Sequence, residues 1–411
     1  MTTLEILSIL VATAALFGWI SVRWLKLPIT VGTMLLATIA SLAIAAAGSI
    51  APGIRAWAVD LMRQIDFESL ILRGMLPLLL FAGAFLLDIE ELEKEKLSVS
   101  ILSVAGTVLS VFAVAGLMFL LSGTGAPWIQ LLLFAALISP TDPIAVLEML
   151  RRSGIPKSIQ AQLAGESLFN DGIGAVLFLT VLDAARGQAP TFGHVAALLL
   201  LKAGGGILLG ICAAWAASQM MRLSGAYQID VLLTIALALG GYALADAFGV
   251  SGPLEAVVAG IALRSFNRRQ PPQSIAHESV DGFWGVLDEI QNSILFVLLG
   301  LEIVAVTLDE PALRAGAAAI FSVNLARLAI VALLLSVIRL IKRGHRSSRS
   351  VLAWGGLRGG LSIALALSVP ASLGRSWILS ATCLVVVFSI VIQGGSMERL
   401  LRWRNAKQAA Q

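Results

Sequence analysis

Gly165-Glu166-Ser167-Leu168-Phe169-Asn170-Asp171-Gly172 stands inside a stretch of chain otherwise apolar enough to lie in lipid. Two carboxylates, a hydroxyl and an amide fall within it. An ionised carboxylate in hydrocarbon is costly, so it survives only beside a partner, a water-filled cavity or an ion. Glu166 and Asn170 are four apart, as are Ser167 and Asp171, so a helix carries the two pairs as adjacent stripes on one side. Such a side reads as an ion site. The alternative is a hydrogen-bonded cluster that only holds helices together.

Composition sets the solvent. Apolar residues make up 58% of the chain, charged residues 13%, and the mean hydropathy is +0.91. Soluble domains average roughly 45–50% and about 25%. A chain of this kind cannot cover itself with polar surface, so lipid is its solvent and the fold class is an all-α polytopic membrane protein. Cys212 and Cys383 lie in apolar runs and imply neither a disulfide framework nor a metal site. His194, His277 and His345 fall near predicted loops. The first apolar segment lacks a basic n-region, so an uncleaved membrane helix is expected rather than a signal peptide. The net charge of +4 reports loop basicity rather than a nucleic-acid partner.

About 20 apolar residues per crossing give thirteen predicted spans, near 4–22, 28–47, 69–88, 97–121, 127–150, 159–182, 192–221, 228–247, 252–264, 283–305, 312–341, 350–370 and 375–398. The charged run 88–96 reads as a solvated connector, and 265–282, with Pro271-Pro272, as a loop between two halves. Loops after odd-numbered spans and the tail hold most of the lysine and arginine, among them Lys26, Arg151, Lys157, Arg222, Arg343 and Arg402. The opposite side holds Arg55, Arg63, Arg73, Arg186, Arg314 and Arg375, and Lys202, Arg327 and Arg358 lie inside spans. By the positive-inside rule the N-terminus is outside and the C-terminus cytoplasmic, in the cell (inner) membrane.

Thirteen spans accommodate two six-helix units of opposite orientation joined by a linking helix, the inverted-repeat plan of many secondary transporters. The expected division is a single transmembrane domain over 1–411. Its first repeat is 1–182 with an ion-site core at 97–182, and 192–221 is the linking helix. The second repeat is 228–398 with its core at 312–398, and 399–411 is a cytoplasmic tail. Helix breakers fall at corresponding places: Ser139-Pro140-Thr141-Asp142-Pro143 in the fifth span and Gly355-Gly356-Leu357-Arg358-Gly359-Gly360 in the twelfth. Proline removes amide donors and paired glycines favour unwinding, so both helices are expected to break near mid-membrane. Asp142 is placed to neutralise a positive half-helix end and Arg358 a negative one.

Four phrases now stand in order: Thr141-Asp142-Pro143, Gly165-Glu166-Ser167 followed by Asn170-Asp171, Phe296-Val297-Leu298-Leu299-Gly300-Leu301-Glu302, and Gly356-Leu357-Arg358-Gly359-Gly360. Together they resemble the NhaP/NHE branch of the cation:proton antiporters, from about residue 5 to 400. That resemblance implies the NhaA/NhaP-like fold and exchange of sodium or lithium for protons, without a cofactor, by a homodimer in the lipid bilayer. It implies an ion- and proton-binding set of Asp171, Asn170, Ser167 and Thr141. Asp171 is then the shared carrier, and the alkali cation is held by Asp171, Ser167 and Thr141 through hard oxygens. Asn170 occupies the place where electrogenic relatives carry a second aspartate, so one-for-one electroneutral exchange is expected. Glu166 is implied to pair with Arg358, an architectural role that the two share with Asp142.

One departure stands out. Some relatives carry a carboxylate near the position of Ala82, and here the nearest acid is Asp88, at the end of the span. Glu148, near Arg151 and Arg152, reads as a cytoplasmic funnel or a surface pair. Glu255, Glu302 and Arg327 read as interhelical contacts, and Lys202 as a snorkelling residue. Other classes fit less well. An intramembrane aspartyl protease would need Asp142 and Asp171 in other motifs. A serine protease of the membrane would need a histidine within a span, and ATP-driven pumping a phosphate loop that is absent. The chain therefore reads as a transporter and not an enzyme, with potassium/proton exchange the nearest alternative.

Overall fold

The computed structural model describes residues 3–26, 29–50, 53, 69–123, 125–186, 192–267, 275–305, 309–342 and 348–409. Their backbone is helical nearly throughout, as it must be where no water is present to pair with free amides. The helices are α1 (Thr3–Ile20), α2 (Ile29–Ile50), α3 (Leu76–Phe85), α4 (Ile89–Ser100), α5 (Gly106–Leu121), α6 (Trp128–Ile138), α7 (Ile144–Arg152), α8 (Lys157–Arg186) and α9 (Phe192–Ser224). Then come α10 (Tyr227–Ala247), α11 (Gly252–Asn267), α12 (Ile275–Ala305), α13 (Glu310–Ile341), α14 (Arg349–Trp354), α15 (Gly360–Leu367), α16 (Arg375–Phe388) and α17 (Gly395–Ala409).

Helix overlies each predicted span, and among the described residues seven helical runs are individually long and apolar enough to cross a membrane. The chain is a multi-pass membrane protein. The Pro271-Pro272 loop and the segment with Arg55 and Arg63 lie outside the described residues, as do the side chains of Glu148 and Glu302.

The run at 88–96 is not a connector. Asp88 caps α4, its carboxylate accepting from the amides of Glu90 at 3.1 Å and Glu91 at 3.3 Å. The charges of Glu90, Glu93, Lys94 and Lys96 stay exposed while Leu92 and Val99 are buried. This amphipathic face packs on α8 at Gly165, where a Cβ would lie 2.8 Å from Leu92 Cδ1 and 3.0 Å from Val99 Cγ1. Farther along α8, Gly172 meets Leu254 of α11 and Gly174 meets Pro140. Small residues on three sides of one helix let its neighbours approach closely, the usual device where lipid gives no hydrophobic drive between helices. Thus α8 sits at the centre of the bundle, in contact with α4, α11 and the break after α6.

Glu166 is buried on α8, at 1% exposure, and its partner is Arg327 of α13 rather than the expected Arg358. Arg327 Nη1 donates to Glu166 Oε1, and Nη2 donates both to Glu166 Oε2 at 2.9 Å and to the carbonyl of Leu352 at 2.8 Å. One guanidinium thereby ties α8, α13 and α14. Arg358 is occupied elsewhere because it lies in the unwound stretch after α14, where free carbonyls draw it.

Breaking a buried ion pair by removing one partner strands a charge and costs about 3–5 kcal/mol. Arg327→Ala is therefore expected to lower the unfolding midpoint in detergent clearly, and the swap Glu166→Arg with Arg327→Glu to recover part of the loss. An unchanged midpoint in Arg327→Ala would show that the pair contributes nothing.

Candidate ion-binding site

Two interruptions cross. Residues 139–143 separate α6 from α7, and 355–359 separate α14 from α15. Pro140 and Pro143 lack amide donors, and Gly355, Gly356, Gly359 and Gly360 lower the cost of leaving the helix. The two extended pieces pair through one isolated antiparallel bridge, in which the Asp142 amide donates to the Leu357 carbonyl at 2.8 Å.

Charged side chains meet the half-helix ends. Arg358, 4% exposed, donates from Nη1 to the carbonyls of Ser139 at 3.2 Å and Pro140 at 3.0 Å, at the negative end of α6. Its own amide donates to Ser389 Oγ at 2.8 Å. The Asp142 carboxylate lies against Gly359, the N-cap of α15, where a Cβ would come within 2.5 Å of Oδ2. Only glycine permits that approach.

From the other side α8 presents Ser167, Asn170 and Asp171. Ser167 Oγ donates to the Thr141 carbonyl. Asn170 closes a reciprocal pair with Thr141, donating from Nδ2 to Oγ1 at 2.8 Å and accepting from the backbone amide at 3.1 Å. The unwound Thr141 is thus clamped to α8 by three hydrogen bonds. Both ends of the Asn170 amide are used in the clamp, and Asn170 does not line the cavity described below. Asp171 differs. Among the described residues it makes no hydrogen bond or ion pair, and the charges acting on it are Asp142 and Arg358.

Asp171 faces a cavity of about 1110 Å³ whose polar wall includes Thr141, Asp142, Ser167, Asp288 and Ser362. The cavity passes apolar Leu76, Leu80 and Leu168 and reaches the exposed residues Lys26, Asp88, Arg151 and Lys157. Those residues belong to the loops read as cytoplasmic from sequence. Ala82 is fully buried beside Phe81 and Trp284, away from this wall, so α3 supplies no carboxylate there. Around Asp171 stand the hydroxyl oxygens of Thr141 and Ser167 with the Asp142 carboxylate acting on it, hard oxygens suited to a small cation. Among the described residues no three His, Cys, Asp or Glu side chains gather as a metal-holding group.

Sequence reasoning missed Asp288, Asn292 and Ser362. Asp288 and Asn292 stand four apart on apolar α12, joined by Asn292 Nδ2 donating to Asp288 Oδ1 at 3.1 Å. The spacing that singled out α8 would have found them.

Comparison with known proteins identifies the family. The family described as "Sodium/hydrogen exchanger, transmembrane" matches residues 11–403. The Na(+)/H(+) antiporter NhaP of Pseudomonas aeruginosa is 38% identical over 408 residues, covering 97% of this chain and 96% of its own. The Na(+)/H(+) antiporter NhaH of Halobacillus dabanensis is 32% identical over 345 residues, covering 82% and 83%. The solved sodium proton antiporter MjNhaP1 of Methanocaldococcus jannaschii has a similar fold, with a TM-score of 0.71 at 20% identity over 96% of this chain and 100% of that one. A helical membrane chain with this extent of family match leaves one assignment: the chain belongs to the sodium/hydrogen exchanger family, among its NhaP-type members.

Proposed function

We propose that the protein exchanges sodium, or lithium, for protons by alternating access, with Asp171 as the shared carrier and one cation moved for one proton. The observation that carries this reading is the unpartnered Asp171 on the cavity wall, beside Ser167 and Thr141. Both hydroxyl-bearing residues are 1% exposed and held by the clamp on the unwound strand, so their oxygens are positioned before any ion arrives. The names of the NhaP and NhaH relatives support the same substrates.

The two substrates compete for one group. Deprotonated Asp171 binds the cation, and protonated Asp171 is neutral and releases it. Either loaded form can pass through the closed intermediate, whereas the bare anion is penalised in a low-dielectric barrier. Exchange is then obligatory, and its direction follows the two gradients. The cavity supports an inward-facing form, given a cytoplasmic face that bears Lys26, Arg151 and Lys157. Thirteen crossings in two inverted repeats, an external N-terminus, the inner membrane as location and a homodimeric assembly complete the proposal. Asn170 acts within it as the clamp on Thr141, and it does not titrate in the physiological range.

Asp171→Asn is expected to abolish exchange in proteoliposomes containing a pH dye, with folding and insertion intact. Asp171→Glu keeps the charge and changes its reach, so it should retain activity with altered cation affinity. Substantial sodium-driven proton flux through Asp171→Asn would remove this residue from the carrier role. Pulses of sodium, lithium and potassium in the same assay separate sodium from potassium exchange.

One carboxylate exchanging one charge for an equal charge moves no net charge. Initial rates in valinomycin-clamped proteoliposomes should therefore be nearly independent of membrane potential, with sodium and protons competing. Sodium accumulation driven by potential alone, without a pH gradient, would contradict one-for-one exchange.

A further inference from the structure

Glu255, in the first turn of α11, is 0% exposed, and among the described residues neither of its carboxylate oxygens has a hydrogen-bond partner. Its head fills a notch in α10, where a Cβ on Gly241 would collide with both oxygens. Its backbone presses on α9, where a Cβ on Gly210 would lie 2.7 Å from the Glu255 carbonyl oxygen. The adjacent Leu254 packs on Gly172 of α8, next to Asp171. Glu255 is absent from the cavity wall.

No charge offsets the group. Titratable residues on the elements packed against α11 include Cys212 and Lys202 on α9, Tyr242 and Asp246 on α10, both acted on by Arg73, and Asp171 on α8, while α3 carries none. None of these exerts a resolved charge effect on Glu255, whose environment acts through burial alone. An ion held this way, fully buried without partner or counter-charge, is not sustained in a membrane interior. Glutamic acid in its neutral form is.

We infer that Glu255 is a second proton-binding site, holding a resident proton in the α9–α10–α11 seam that is not exchanged during transport. The closed seam separates it from the path that Asp171 serves, so sodium cannot displace its proton. The inference rests on burial and on the missing partners. It would stand even if the transported cation proved not to be sodium.

Infrared absorption spectroscopy of the full-length protein in lipid nanodiscs tests it at neutral pH, with spectra recorded separately in sodium chloride and in choline chloride. A carbonyl band of an un-ionised, non-hydrogen-bonded carboxyl is expected in the parent and in Asp171→Asn, lost in Glu255→Gln and unchanged by saturating sodium. Absence of that band from the parent at neutral pH would overturn the inference. So would its removal by sodium, which would make Glu255 a carrier. Should Glu255→Gln fail to fold, ¹³C-glutamate labelling of Asp171→Asn decides instead, because the label shifts glutamate carbonyls and leaves aspartate ones in place. A band that does not shift would refute Glu255 as its source.

Discussion

A helix that unwinds inside a bilayer releases amides and carbonyls with no water to receive them, and each must find a partner within the protein. The centre of this molecule follows from that constraint. The Asp142 amide is taken by the Leu357 carbonyl, and Arg358 collects the carbonyls of Ser139 and Pro140. Ser167 and Asn170 take up the polar groups of Thr141. Beside these paired groups the Asp171 carboxylate lines the cavity with no hydrogen-bond partner among the described residues. The site is what is left when the crossing has satisfied itself.

This arrangement separates architecture from ion binding more sharply than residue type suggests. Four polar residues lie close together on α8, yet Glu166 points to α13 and Asn170 to the clamp, while Ser167 and Asp171 line the cavity. Glu166 with Arg327 and the clamp around Thr141 hold two sides of the same helix, so α8 is fixed against both broken helices. A carrier carboxylate needs such surroundings, because the energy difference between its loaded and bare forms is useful only when the frame does not relax around it.

Much of this was legible in the chain. The lipid setting, the helical spans, the breaks at 139–143 and 355–359 and the polar stripe on α8 follow from hydropathy, from proline and glycine placement and from a four-residue spacing. Which arginine meets Glu166 was not legible. Arg327 and Arg358 both lie in apolar segments, and the choice depends on how α13 and α14 are rotated about α8, a property of packing rather than of local pattern. The run 88–96 misled because its charges were read without phase: Leu92, Glu95 and Val99 share a buried face while the intervening charges face out. The place of Asn170 in the ion- and proton-binding set came from the resemblance, and its two bonds to Thr141 depend on a strand distant in sequence.

The central claim is that one protonatable group, Asp171, serves both substrates. Counting the protons released when sodium binds purified protein tests it without transport, in unbuffered detergent solution at a pH where the carrier is protonated. One proton released per sodium bound is the expected result, falling to none in Asp171→Asn. Two protons per sodium, or release that persists in Asp171→Asn, would contradict the single-carboxylate account.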